Sequence, residues 1–161
     1  MIEQTVLDYS EMLKSLGIEH KILEHPRLVS PQDVQGYFGE TIADCVASLV
    51  MKGDDRFIVI LKKGDDHLNF KKIKKTLKVG NLRFATKEEF ENTTNLSFGA
   101  ARIYIPGLET YIDQGVFTKE YLNGGTGSFT CTFKYKTEDI KKIPGSIVLE
   151  ISDTDMGVKA S

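Results

Sequence analysis

At 161 residues the chain has the length of one ordinary domain and leaves little room for two. Its 40% hydrophobic and 27% charged residues supply a packed core and exclude a disordered or low-complexity chain. The net charge of -2 excludes attachment to nucleic acid by bulk electrostatics, so any such contact must come from a local basic patch.

Val6, Tyr9, Met12, Leu13 and Leu16 recur at helical spacing before Gly17, which predicts an amphipathic first helix. The opening segment carries acids and no long apolar stretch, so it reads as neither a signal nor a transit peptide. No run reaches the length of a membrane span, and the expected location is the cytoplasm, with no membrane partner. Residues 18–24 read as a strand ending at His25-Pro26. Ser30-Pro31-Gln32-Asp33 then starts a helix kept short by Gly36 and Gly39. Residues 45–51 and 57–62 are apolar runs around a Gly/Asp turn, which predicts a hairpin. Residues 69–78 form an amphipathic helix with Phe70, Ile73 and Leu77 on one face, closed by Gly80. Residues 82–85 follow as a strand, and Thr86 with Glu89 has capping-box spacing for another helix.

In the last third, residues 103–105 and 110–113 read as short strands. Asn123-Gly124-Gly125-Thr126-Gly127 reads as a turn between β runs at 119–122 and 128–136. A short helix from Thr137, a strand over 146–151 and a loose polar tail over 152–161 complete the chain. The expected fold is therefore one α/β (α+β) domain over 1–151: a mixed, barrel-like sheet core with short helices outside. Cys45 and Cys131 lie far apart and outside any C-x-x-C, and read as ordinary reduced thiols. His20 and His25 fit neither one helix face nor one strand face, so no metal site is expected from His20, His25, His67 and the adjacent aspartates.

Several segments carry a resemblance when taken in order: Leu23-Glu24-His25-Pro26; Val46-Ala47-Ser48-Leu49-Val50; the run from Lys63-Gly64-Asp65-Asp66 to Lys71-Lys72-Ile73; Phe98-Gly99-Ala100-Ala101; Tyr111-Ile112-Asp113; and Gly124-Gly125. Together they resemble the YbaK/prolyl-tRNA-editing family over residues 20 to 150. The resemblance implies hydrolysis of the ester in a mischarged tRNA, of the tRNA-Pro kind or similar, by a free-standing editing domain without a cofactor. Its implied partners are the tRNA acceptor end and an aminoacyl-tRNA synthetase. It also implies that His25, Ser48, Gly99 and Ala100 border the substrate. Taken alone, Gly99 reads as a β-turn or bulge and His25 as a strand-end histidine, while Ser48 reads equally as a hydroxyl satisfying nearby backbone.

Two positions depart from the family pattern. Its strand lysine falls on Ala47, and the proline of its glycine loop falls on Ile103. A methyl group cannot replace an ammonium electrostatically, so the catalytic group is unassigned. The alternative to an enzyme is a degenerate module of the same fold that binds tRNA or a synthetase without turnover. From Lys62 to Lys78, seven lysines face two aspartates, and Lys71, Lys72, Lys74 and Lys75 avoid the apolar helix face. That pattern reads either as a solvated surface or as a track for tRNA phosphates.

Overall fold

A computed structural model describes residues 2–153. Helix α1 (Gln4–Ser15) buries Val6, Tyr9 and Leu13, the predicted stripe, and the chain leaves it through Gly17 at φ +79. Strand β1 (His20–Glu24) follows, then α2 (Pro31–Tyr37), whose start is capped by Ser30 Oγ accepting from the Asp33 N–H at 3.0 Å.

The hairpin is β2 (Val46–Gly53) and β3 (Arg56–Lys63), turned at Asp54, whose φ is +54. The Asp54 carboxylate accepts from the N–H groups of Gly80 and Asn81, which pins the turn to the chain after the next helix. After β4 (His67–Leu68), α3 (Phe70–Leu77) starts on Asn69, which accepts from the Lys72 N–H at 3.0 Å. Lys78, at φ +59, takes the left-handed position that ends α3; the glycine two residues later does not. Strand β5 (Leu82–Phe84) and α4 (Lys87–Thr94) come next, then β6 (Glu109–Asp113), β7 (Tyr121–Gly125), β8 (Cys131–Lys136), α5 (Thr137–Ile140), β9 (Ile147–Leu149) and β10 (Ser152–Asp153).

Five strands form a mixed sheet in the order β5-β2-β3-β6-β9, with β3-β6 and β6-β9 parallel. Three more form an antiparallel sheet, β1-β8-β7, and β4 pairs with β10. A Cys45–Asn123 bridge joins the two larger sheets. The expected mixed sheet with outer helices is present, but as separate sheets and not as a closed barrel among the described residues.

Strand β3 explains the layering. Ile58, Val59, Ile60 and Leu61 are all fully buried, since Val59 and Leu61 face α1 and the three-stranded sheet while Ile58 and Ile60 face Ile73 of α3. A strand covered on both sides reads as a continuous apolar run.

Three further expectations change. Residues 103–105 are not a strand; Ile103 and Ile105 are apolar because they enter the core from a loop. Asn123, Gly124 and Gly125 lie within β7, and the connection to β8 runs through 126–130. Ser152 and Asp153 pair with Leu68 and His67 where a loose tail was expected; the rest of that tail lies outside the described residues.

The α4 start carries a pH test. Thr86 and Glu89 form the predicted capping box, and Glu89 also takes two bonds from Arg83 at 2.7 and 2.9 Å. Arg83 first, then the Thr86 N–H, hold the Glu89 carboxyl down at about 2, against an ordinary 4.5. A depressed carboxyl stabilises the fold above its unfolded value and loses that contribution as pH falls through the folded one. The stability difference between wild type and Glu89→Gln, from melting temperatures, should be constant above pH 4.5 and shrink between 4.5 and 2. A difference independent of pH would exclude this role.

Candidate functional site

Strand β2 is paired on both sides only over part of its length. Its β5 partner reaches Met51, Lys52 and Gly53, and the Cys45–Asn123 bridge lies at the other end, so residues 47–49 keep one open edge. The Val50 carbonyl accepts from the Ala85 N–H at 3.0 Å on that side. Backbone groups alternate along an antiparallel strand, so the N–H and C=O of Ser48 point to the same open side.

Facing this edge are the glycines of β7 and the loop 99–101. A Cβ on Gly124 would lie 2.7 Å from the Tyr135 ring and 3.0 Å from Val46, and one on Gly125 only 2.2 Å from the Ala101 carbonyl oxygen. Only glycine lets β7 approach both walls. The loop is a turn in which the Ala100 N–H donates to Ser97 O at 3.0 Å, with Gly99 at φ +92 in its third position. That φ is the left-handed value a type II turn requires. The N–H groups of Gly99 and Ala101 have no protein acceptor among the described residues.

Helix α2 closes the space through Pro31, Gln32, Val34 and Gln35, leaving a cavity of about 300 Å³. This is the small end of ligand-site volumes. His25, Ser48, Gly99 and Ala100 all line it, together with Ala47. The sequence separates these residues by up to 75 positions; the fold brings them around one space.

His25 is buried, with Nδ1 2.8 Å from the Pro26 carbonyl oxygen and Nε2 2.9 Å from Thr132 Oγ1. A carbonyl only accepts, so Nδ1 carries the proton, and in the neutral ring Nε2 accepts from the Thr132 hydroxyl. Phe38 packs edge-on against the imidazole at 5.9 Å. The Ser48 hydroxyl is buried without a hydrogen-bond partner. Both cysteines are free; burial raises the Cys45 thiol, and burial pushes Cys131 up to about 11. Neither is poised as a thiolate nucleophile.

The lysines divide. Lys71, Lys72, Lys74 and Lys75 sit on α3, and none lines the cavity; Lys72 pairs with Glu150 at 3.1 Å. Lys63 is tied to Asp65 and Asp66. Lys62 stands directly across from Ala47 and donates to the Gly64 carbonyl at 2.9 Å. It neighbours Cys45, and burial lowers its pKa. Among the described residues no three His, Cys, Asp or Glu side chains gather as a metal site, and no helix is long and apolar enough to cross a membrane.

The family model of the aminoacyl-tRNA editing domain matches residues 25–143, which contain every residue of this cavity. The chain belongs to the aminoacyl-tRNA editing domain family. It is 26% identical over 117 residues to the proline–tRNA ligase of Bacillus licheniformis, covering 73% of this chain and 20% of the ligase. With the Bacillus subtilis ligase the figures are 28% over 130 residues, 77% and 22%. The chain thus spans about a fifth of the length of these curated relatives. A solved structure described as a proposed trans-editing enzyme for prolyl tRNA synthetase superposes with a TM-score of 0.82 at 19% identity, covering 96% of this chain and 100% of the other. That likeness carries the fold.

Asn123, Gln35, Thr132 and Lys62 belong in or beside this editing-domain cavity and were not singled out from sequence. Asn123 was hidden because Asn-Gly-Gly has turn composition, and Gln35 because a polar residue in a short helix reads as exposed.

Proposed function

We propose that this editing domain is an aminoacyl-tRNA deacylase acting in trans, hydrolysing the ester of a mischarged tRNA of the tRNA-Pro kind. The observation that carries the reading is the cavity itself: an unpaired strand edge, a type II turn and two close-approach glycines around a space of about 300 Å³. An aminoacyl ester presents a carbonyl that becomes an oxyanion in the transition state, and preorganised backbone N–H groups stabilise that charge. The N–H groups of Gly99, Ala101 and Ser48 are the donors available at this wall. We take water as the nucleophile; burial raises both thiols and disfavours their thiolate forms.

Ala47 leaves the open edge without an ammonium, but Lys62 brings one beside the cavity-lining Cys45 and Gly64. We assign it the electrostatic support of the oxyanion. Lys62→Met should lower kcat about 10-fold to 100-fold with KM little changed, the pattern of an interaction made in the transition state. An unchanged kcat removes Lys62 from the mechanism.

The acceptor stem would lie along α3, with a synthetase as a further partner and the cytoplasm as the site of action. Lys71→Glu with Lys74→Glu should weaken tRNA binding and flatten its dependence on salt by roughly one unit of slope per lost phosphate contact. Binding that keeps its affinity and slope would exclude this face.

Purified protein should be assayed against a panel of mischarged tRNAs. Release above the spontaneous rate for at least one of them supports the reading. If no ester is cleaved but tRNA is still bound, the chain is a binding module of the same fold.

A further inference from the structure

Asn123 is fully buried on the cavity wall, and its side-chain amide is only partly satisfied. Its Nδ2 donates to Gln35 Oε1 at 2.9 Å and to Glu40 Oε1 at 2.7 Å. A carboxylate can only accept, so the Glu40 contact decides which end of the amide is nitrogen. The other end, Oδ1, has no donor. Among the described residues three buried side-chain atoms lack a partner, and two of them, Asn123 Oδ1 and Ser48 Oγ, belong to residues lining this cavity. A buried acceptor left open is costly and calls for an explanation, and a bound ligand is one.

The surroundings of Asn123 say what kind of ligand. Glu40, whose carboxylate also faces Lys134 at 3.7 Å, draws on the amide N–H. Hydrogen bonds in a chain polarise one another, so a carboxylate on the N–H side increases the negative charge on the oxygen. An oxygen polarised in this way favours a charged donor over a neutral one. Gln35, 3% exposed, holds the amide from α2, so the group is fixed by two elements at once.

We propose that Asn123, polarised by Glu40, receives the α-ammonium of the aminoacyl group, so that the cavity accepts a free amino acid ester and rejects one blocked at nitrogen. The inference rests on the deacylase reading and adds a substrate class to it: aminoacyl esters, not peptidyl or formylated ones. Asn123 is the binding residue, and Glu40 and Gln35 position it.

The test uses three non-hydrolysable probes on the whole chain by calorimetry: 3′-alanylamino-3′-deoxyadenosine, its N-acetyl form, and its seryl counterpart. Wild type should bind the alanyl probe at least about tenfold tighter than the N-acetyl probe, the loss of one charge-assisted bond, and the seryl probe no better than the alanyl one. Glu40→Gln keeps the shape and the amide contact but removes the charge, and should cut that preference to a few-fold. Asn123→Leu should abolish it; should that variant fail to fold, Glu40→Gln alone decides. Equal binding of free and N-acetylated probes, or a preference unchanged in folded Glu40→Gln, overturns the proposal. So does a preference for seryl without an N-acetyl effect, which would assign the orphan oxygen to a side-chain hydroxyl. A wild type that cleaves mischarged tRNA yet treats N-acetylated and free aminoacyl-tRNA alike overturns this inference and leaves the deacylase reading standing. If no probe binds and no mischarged tRNA is cleaved, both fall.

Discussion

Gly125→Val is expected to lower deacylation by at least about 100-fold while the protein stays folded. The new Cβ would sit 2.2 Å from the Ala101 carbonyl oxygen, a backbone atom that can retreat only by moving the loop 99–101. That loop carries two of the N–H donors assigned to the oxyanion, and a displacement of about 1 Å in a positioning element costs on the order of 10²-fold. Gly36→Ala is the matched control. Gly36 lies in α2, next to the cavity-lining Gln35, but a Cβ there meets nothing within 4 Å. Alanine should leave turnover intact and stabilise the helix by up to about 1 kcal/mol. Single-turnover rates on a cleaved ester, with circular dichroism as the check on folding, would decide. A fully active Gly125→Val would mean that the loop and β7 do not form the working wall of the site.

Asp113→Ala is expected to cost about 3–5 kcal/mol of stability, read as a fall in the urea midpoint. Asp113 is fully buried, and both of its oxygens are used. Oδ1 accepts from the Ile151 N–H at 2.9 Å, and Oδ2 accepts from the Gly115 N–H at 3.0 Å and the Ser152 hydroxyl at 2.8 Å. Removing the carboxylate leaves interior donors unpaired and releases the segment that carries β10. Asp113→Asn should recover only part of the loss, because one of its two ends becomes a donor facing a donor. A midpoint close to wild type in Asp113→Ala would show that water replaces the carboxylate at little cost.

Asp113 also shows how a motif can be legible while its role is not. Tyr111-Ile112-Asp113 stood out as part of the family resemblance, yet in the fold its acid ties the end of β6 to residues nearly 40 positions later. Local signals translated well where the physics is local. The Ser30 and Thr86 caps, the α1 stripe and the hairpin around Asp54 each depend on residues within a few positions of one another, and all formed. Where burial competes with pairing they failed. Ile103 and Ile105 have strand composition but bury in the core from a loop, and Asn123-Gly124-Gly125 has turn composition but forms a strand because only glycine fits between Tyr135, Val46 and Ala101.

The order of the segments was enough to reveal the editing family, since the cues needed only compatible spacings along the chain. It also singled out His25, Ser48, Gly99 and Ala100, and left open whether they meet. Tertiary structure decided that they surround one cavity, that the α3 lysines stand outside it, that Lys62 lies across from Ala47, and that Asn123 is buried with an unpaired oxygen. The physical reason is one of range. Caps, turns and amphipathic stripes depend on neighbours in sequence, whereas a pocket's shape, its unsatisfied atoms and the side on which a charge falls depend on strand pairings between distant residues.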